Sequence, residues 1–136
     1  INGVPYGAHM GLELYDKAFL KSRFHGASKG DLYKCVTTFR WIGPLNNQTQ
    51  KVYEKLYHLE EGDKNNLPDI VDLAYTINNG TLDDIAARLD IPFFLQTYAA
   101  EVVTGNWDGT WNGNNYFLYK HPVSGKYLYW RHDLDL

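Results

Sequence analysis

The sequence predicts an α+β fold, and two observations carry this prediction. Between residues 67 and 104, apolar side chains recur every three to four positions, which is the period of helices packed on a core. Residues 115–120 and 126–130 are instead rich in aromatic side chains, which is typical of strands, and residues 121–125 have the composition of a hairpin loop. A strand region followed by helices and a hairpin indicates an α+β fold rather than an alternating βαβ sheet.

The composition is that of a globular domain. The chain has 136 residues, of which 44% are hydrophobic and 15% aromatic, and its formal net charge is -3. A mild acidic balance without a block of Lys or Arg excludes nucleic acid as a primary partner. The longest apolar runs fall far short of the ~18 residues that a membrane span needs. The single cysteine, Cys35, cannot form an internal disulfide and is expected to be a small core residue.

The beginning of the chain predicts a strand and a short helix. Asn2-Gly3 is a turn signal, and residues 4–14 are interpreted as the second strand of a hairpin. Asp16 can cap a short helix that ends at Phe24.

The next segment contains one clear strand signal and one ambiguous region. Residues 32–39 favour a strand through their β-branched and aromatic content. Residues 50–59 are compatible with either a helix or a strand.

Three helices are predicted in the middle of the chain, and each begins at a recognisable capping signal. Pro68 lies in the first turn of the first helix, and Thr81, with Asp84 three residues on, caps the second. Asp90 caps the third. The predicted helices span residues 67–78, 82–89 and 91–104.

Polar residues that packing does not explain gather in two loops. Residues 105–115 precede the hairpin and include Asp108, while Asp133 and Asp135 follow it. Because the two strands of a hairpin pair, the residues before the first and after the second lie at the same end. We therefore expect the two acidic groups to converge.

The converging residues form a set of oxygen donors suited to Mg²⁺. Asp108 would lie near Asp133 and Asp135, with Asn114 or Asn115 between them. Mg²⁺ takes few protein carboxylates and completes its shell with water and phosphate oxygens, so the set fits a Mg-nucleotide better than a closed Ca²⁺ cage. One carboxylate would remain free to orient a hydroxyl nucleophile, as phosphoryl transfer requires. Asp, Asn and Gly are also ordinary turn formers, so the spacing alone leaves a purely structural loop open.

Other candidate sites have weaker signals. The five histidines lack the spacing of zinc ligands. Glu13 is either a solvated edge charge or a carboxylate that lines a site. Trp107, Trp111 and the aromatic hairpin are either a platform on which sugars stack or part of the core. Asn47 and Asn79 begin Asn-x-Thr triplets that would accept glycans in a eukaryotic secretory pathway.

Four motifs, in order and at compatible intervals, are the most specific features of the chain. They are VTGNWDG at residues 103–109, NNYFLY at 114–119, GK at 125–126 and DLD at 133–135. Together with weaker matches at residues 2–13, 16–20 and 32–34, these motifs resemble the CotH kinase family, that is, spore-coat protein H and its secreted relatives. The resemblance extends over essentially the whole chain.

The resemblance implies a fold and an activity. The fold would be that of an atypical protein kinase, of which residues 1–136 would form part of the domain, mainly the hinge and the C-lobe, without the upstream N-lobe part and the downstream end. The activity would be transfer of the ATP γ-phosphate to Ser or Thr of secreted or coat proteins, with ATP and Mg²⁺ as cofactors. The location would be extracellular, in a spore coat or at a cell surface.

The resemblance also implies roles for individual residues. Asp108 would orient the acceptor hydroxyl, and Glu13 would lie at the hinge beside the nucleotide. Asp133 and Asn115 would bind Mg²⁺, and Asp135 would belong to the same metal-binding motif.

Two alternatives stand beside the kinase. One is a noncatalytic extracellular binding or adhesion module on the same fold, with a glycan or cell wall as its partner. The other is a structural domain stabilised by Ca²⁺ at Asp133 and Asp135. Within the kinase interpretation, the spacing leaves open whether Asn114 or Asn115 is the metal ligand.

Overall fold

The computed structural model describes residues 13–132 of the chain. The predicted N-terminal turn and most of the predicted first strand lie outside these residues. The last two positions of that strand, Glu13 and Leu14, are described and do not belong to a strand.

A four-stranded antiparallel sheet forms the centre of the described chain. Its strands are β1 (Leu32–Cys35), β2 (Tyr57–Glu61), β3 (Tyr116–Lys120) and β4 (Tyr127–Arg131). The strand order is β2-β1-β3-β4, and each neighbouring pair is antiparallel. This sheet, combined with helices, agrees with the predicted α+β class.

Five α-helices accompany the sheet. They are α1 (Lys17–Arg23), α2 (Gln50–Leu56), α3 (Leu67–Asn79), α4 (Leu82–Arg88) and α5 (Ile91–Thr104). Within residues 13–132, none of the helices is long and apolar enough to span a bilayer.

The predicted capping residues form the expected hydrogen bonds. The Asp16 carboxylate accepts from the backbone N–H groups of Ala18 and Phe19 in the first turn of α1. Thr81 and Asp84 form a reciprocal capping box at the start of α4. Asp90 accepts from the backbone N–H of Phe93 at the start of α5. The starts of α1, α4 and α5 therefore follow from local signals in the sequence.

The structure settles the ambiguous region, residues 50–59, and shortens the strand predicted at residues 32–39. Residues 50–59 begin as helix α2 and change to strand β2 at Tyr57, which pairs with Cys35 of β1. Strand β1 is shorter than predicted, since it ends at Cys35. Immediately after it, the Val36 N–H bonds to the Leu56 carbonyl, and Phe39 adopts a positive φ of 45°. The β-branched residues of positions 36–38 therefore lie outside the strand, and a bend follows at residues 37–39.

The sheet separates two apolar cores, because successive side chains of a strand point to opposite faces. The larger core joins the sheet to α3, and the smaller core joins it to α1. Buried members of the larger core include Tyr33, Cys35, Tyr116, Leu118 and Tyr129 of the sheet with Ile70, Leu73 and Ala74 of α3. The smaller core contains Leu32, Phe117 and Tyr119 with Phe19 and Leu20.

Cys35 is a core residue, as predicted. Its relative solvent exposure is 0%. Burial raises the pKa of the Cys35 thiol above its ordinary value. A buried thiol that remains protonated is not a nucleophile.

Buried tyrosines attach loops to the sheet through their hydroxyl groups. Tyr116 donates to the carbonyl of Thr37, and Tyr119 donates to the carbonyl of Ala27 at 2.5 Å. Burial raises the pKa of both tyrosines. The hydroxyls therefore remain protonated donors at neutral pH.

Asp69, in the first turn of α3, connects this helix to α4 and to the hairpin. Its carboxylate accepts a hydrogen bond from the Tyr127 hydroxyl at 2.6 Å and lies 2.5 Å from Lys120 Nζ and 3.1 Å from Arg88 Nη2. Burial on its own would raise the pKa of Asp69. The hydrogen bonds from Lys120 and Tyr127, together with the charges of Lys120 and Arg88, outweigh burial and lower this pKa.

Gly113 brings the loop before β3 against the segment that follows β1. Its φ is +67°, and a Cβ at this position would lie 2.5 Å from the backbone nitrogen of Thr38. Such a distance is a steric overlap with backbone. Only glycine fits both the left-handed conformation and the close approach.

We expect Asp69→Asn to lower the free energy of unfolding at pH 7 by about 2 kcal/mol, because the variant loses a charged acceptor. The folded state lowers the pKa of Asp69, so its contribution is present at neutral pH and is lost as the pH falls below 3.8. Urea unfolding at pH 7 and pH 3 checks this: the difference between wild type and variant should shrink at the lower pH. Asp72→Asn is the matched control, since Asp72 lies on the same helix in a more exposed ion pair with Arg88 and should cost about 0.5 kcal/mol. Equal losses in the two variants would contradict the role of Asp69.

We expect Gly113→Ala to destabilise the fold more than Gly125→Ala does. The two glycines have nearly the same φ, +67° and +69°, but a Cβ at Gly125 meets no atom within 4 Å. Backbone strain at a positive φ should cost each variant about 1 kcal/mol. Overlap with Thr38 should add about 1–3 kcal/mol to the cost of Gly113→Ala. Thermal or urea unfolding measures the difference, and equal stabilities would show that the approach to Thr38 does not restrict this loop.

Candidate functional site

Asp108 lies on the loop that connects α5 to β3. Gly105, in the left-handed conformation with a φ of +70°, ends α5 and turns the chain into this loop. The Asp108 side chain is partly exposed. Its Oδ2 accepts a hydrogen bond from Asn115 Nδ2 at 2.8 Å, whereas Asn114 Nδ2 lies 3.4 Å from both carboxylate oxygens. The shorter distance makes Asn115 the principal partner of Asp108.

The backbone brings the two ends of the hairpin together at Asn115. The outermost ladder pair of the hairpin is Tyr116 with Arg131. One position further out, the His132 N–H donates to the Asn115 carbonyl at 2.8 Å. Asn115 has a φ of +51°, a left-handed conformation that Asn tolerates better than most residues. The loop that carries Asp108 and the chain leaving β4 therefore meet, as the hairpin pairing predicted.

The metal-binding roles of Asp133 and Asp135 stay predictions, because both residues lie outside the described range. Within residues 13–132, no group of three or more His, Cys, Asp or Glu side chains is arranged to hold a metal ion. In this part of the chain, the hard oxygen donors beside the hairpin end include the Asp108 carboxylate and the amide oxygens of Asn114 and Asn115.

Glu13 forms an ion pair near the surface. Its Oε2 lies 2.8 Å from Arg23 Nη2, and the two side chains are about half exposed. Two residues further on, the Tyr15 hydroxyl donates to the carbonyl of Arg131 at 2.7 Å, and its ring packs against His132. The segment after Glu13 is thus attached to the end of β4. The role of Glu13 in nucleotide binding stays a prediction.

Glu101 is a buried carboxylate that the sequence analysis did not single out. It lies in the last turn of α5 with a relative exposure of 2%. Thr110 and Tyr129 donate their hydroxyl hydrogens to it at 2.7 Å and 2.9 Å. The available signal was a Glu inside the apolar helical run AAEVV, a position where a charge needs partners from elsewhere in the fold.

The aromatic residues of the predicted sugar platform divide into two groups. The tyrosines of the hairpin are core residues, whereas Trp107 and Trp111 are 65% and 78% exposed. The two tryptophans line a shallow pocket of about 160 Å³ together with Asn106. Asn106 is 8% exposed, and its side-chain nitrogen has no hydrogen-bond partner among the described residues.

Two other clefts lie away from Asp108. One, of about 480 Å³, is lined by Asp31, Asp69 and Lys120, at the turn end of the hairpin. The other, of about 310 Å³, lies beside β2 and is lined by Tyr33, Tyr57 and His58. Their positions separate both clefts from the end of the hairpin that carries Asn115.

Comparison with known proteins identifies the family. No curated protein matches the chain. A family model described as CotH kinase protein matches residues 1–136, which is the whole chain. The chain therefore belongs to the CotH kinase family.

Proposed function

We propose that this chain contributes the catalytic loop of a protein kinase that transfers the γ-phosphate of ATP to Ser or Thr of secreted or coat proteins. Its membership of the CotH kinase family supports a kinase-like fold and activity. The observation that carries the proposal is the contact at the hairpin end: Asn115 bonds to Asp108 through its side chain and to His132 through its carbonyl. This contact supports the proposal because it holds the Asp108 carboxylate close to His132, the residue that precedes Asp133 in the chain.

Asp108 orients the acceptor hydroxyl in this proposal. Its Oδ2 is engaged by Asn115 at 2.8 Å, while the contact of Asn114 with Oδ1 is long, at 3.4 Å. Oδ1 is therefore the oxygen that accepts a hydrogen bond from the substrate Ser or Thr. A carboxylate within hydrogen-bond reach of the nucleophile aligns it and takes its proton as the phosphoryl group moves.

Asn115 and Asp133 would hold Mg²⁺, with Asp135 in the same motif. The chemistry of the donors fits this ion, because amide and carboxylate oxygens are the protein ligands that Mg²⁺ prefers. Asn115 uses its amide nitrogen for Asp108, which leaves its Oδ1 as the ligand atom. When bound, Mg²⁺ neutralises charge on the ATP phosphates. Asn115 is favoured over Asn114 for this role because it forms the shorter bond to Asp108.

ATP would lie against the segment that begins at Glu13. The hydrogen bond from Tyr15 to the Arg131 carbonyl places this segment beside the chain that leads to Asp133. The ion pair of Glu13 with Arg23 is exposed, and exposed pairs contribute little to stability. An amino or hydroxyl donor of the nucleotide, but not its phosphates, can therefore take the place of Arg23 beside Glu13 at small cost.

A noncatalytic glycan-binding module is the second candidate. The exposure of Trp107 and Trp111 beside Asn106 favours it, because sugars stack on aromatic faces and accept hydrogen bonds from amides. Calorimetry of the full-length protein with Mg·ATP and with oligosaccharides separates the two candidates. Heat with Mg·ATP supports the kinase, and heat with the oligosaccharides alone supports the module.

We expect Asp108→Asn in the full-length protein to lower turnover at least about 100-fold and to leave Mg·ATP affinity unchanged. Asp133→Asn should lower Mg·ATP affinity and turnover together, because it removes a charged ligand of the ion. Radiolabelled phosphate transfer measures turnover, and calorimetry measures affinity.

Asp83→Asn makes the same chemical change at an exposed position of α4 and should have no effect on either quantity. Wild-type turnover in both the Asp108 and the Asp133 variants would overturn the kinase assignment.

A further inference from the structure

Glu101 occupies an unfavourable position for a carboxylate. It is 2% exposed, and it lies in the last turn of α5, where the helix dipole presents its negative end. Burying a charge costs free energy unless hydrogen bonds replace its water. A residue held at such a position must be stabilised by specific donors.

The donors come from the loop that carries Asp108 and from the hairpin. Thr110 Oγ1 donates to Glu101 Oε2 at 2.7 Å, and the Thr110 backbone N–H lies 3.4 Å from the same oxygen. The Tyr129 hydroxyl of β4 donates to Oε1 at 2.9 Å and also contacts Thr110 Oγ1. One carboxylate therefore joins α5, the loop and β4.

These contacts fix the loop on both sides of Asp108. Before it, the Asn106 N–H donates to the Glu101 carbonyl at 3.0 Å. After it, a Cβ at Gly109 would lie 2.8 Å from Glu101 Oε1, so the loop backbone rests directly on the carboxylate. Thr110 follows immediately. Residue 101 thus contacts the loop on both sides of Asp108, through its backbone carbonyl before it and through its carboxylate after it.

We propose that Glu101 is a positioning residue for Asp108, acting through the Thr110 hydroxyl and supported by Tyr129. This inference rests on the proposed kinase function. Glu101 does not act on the substrate; it sets the place of the loop from which the Asp108 carboxylate meets the acceptor hydroxyl. Displacing a catalytic group by about 1 Å can cost up to about 100-fold in rate. Loss of the hydrogen bond between Glu101 and the Thr110 hydroxyl should therefore lower kcat and leave the KM for Mg·ATP unchanged.

The test compares Thr110→Val with Thr110→Ser in the full-length protein. Valine keeps the shape of threonine but removes the hydroxyl, whereas serine keeps the hydroxyl. We expect Thr110→Val and Glu101→Gln each to lower kcat about 10- to 100-fold with the KM for Mg·ATP within about twofold of wild type. Thr110→Ser should keep most of the wild-type kcat, because serine keeps the hydroxyl. Thr76→Val is the matched control, because the Thr76 hydroxyl bonds within α3 to the Asp72 carbonyl at 2.8 Å, and the kcat of this variant should equal that of wild type.

Hydrogen exchange gives a second readout that does not depend on turnover. The backbone amides of residues 106–113 should exchange faster in Thr110→Val than in wild type, and Thr110→Ser should return them to the wild-type rate. The melting temperature of each variant is measured by thermal unfolding, and all assays are run well below the lowest of these temperatures.

Three outcomes would overturn the inference. Wild-type kcat in Thr110→Val and Glu101→Gln, with Asp108→Asn inactive, would reject positioning by Glu101 and leave the kinase proposal standing. An equal loss in Thr110→Val and Thr110→Ser would show that the hydroxyl is not the connection. If the wild-type protein has no turnover, or if its turnover does not depend on Asp108, the kinase proposal is rejected. The positioning role of Glu101 is then rejected as well.

Discussion

The antiparallel pairing of β3 with β4 is the constraint on which the candidate site depends. It fixes Tyr116 opposite Arg131, and so places Asn115 beside His132. A slip of one residue would turn every side chain of a strand to the opposite face. Both faces of this hairpin are buried in different cores, so such a slip would disrupt both. The register that stabilises the cores is therefore also the register that assembles the hairpin end.

The tyrosines of the hairpin link this register to the loops around it. Tyr119 and Tyr116 donate to carbonyls of the loops that flank β1, and Tyr129 donates to the Glu101 carboxylate. Tyr127 donates to Asp69 of α3. Each ring contributes apolar area while its hydroxyl satisfies a polar group at the edge of the core. A core of leucines would also bury apolar area but would leave these groups without partners.

The parts of the fold that follow from local signals are predictable from the sequence. Asp90 and Gly105 delimit α5, and the aromatic strands around residues 121–125 indicate the hairpin. The change from helix to strand at Tyr57 is not predictable in this way, because pairing with β1 decides it. Long-range contacts of this kind have no local signature in the sequence.

The candidate site likewise has one part that could be predicted from the sequence and one part that could not. The approach of the loop containing Asp108 to the end of β4 follows from hairpin pairing and could be predicted. The contacts of the Glu101 carboxylate could not, because its partners Thr110 and Tyr129 lie 9 and 28 residues away in the chain. A glutamate in an apolar helical run indicates a buried charge without identifying its donors.

Because Cys35 is buried, the reactivity of its thiol reports whether the protein is folded. The chain contains one cysteine, and in the folded state no part of it is open to solvent. Alkylating reagents reach the sulfur only when the pairing around the end of β1 opens. The rate of labelling therefore measures how often the centre of the sheet opens, without a dye, a tag or an added mutation.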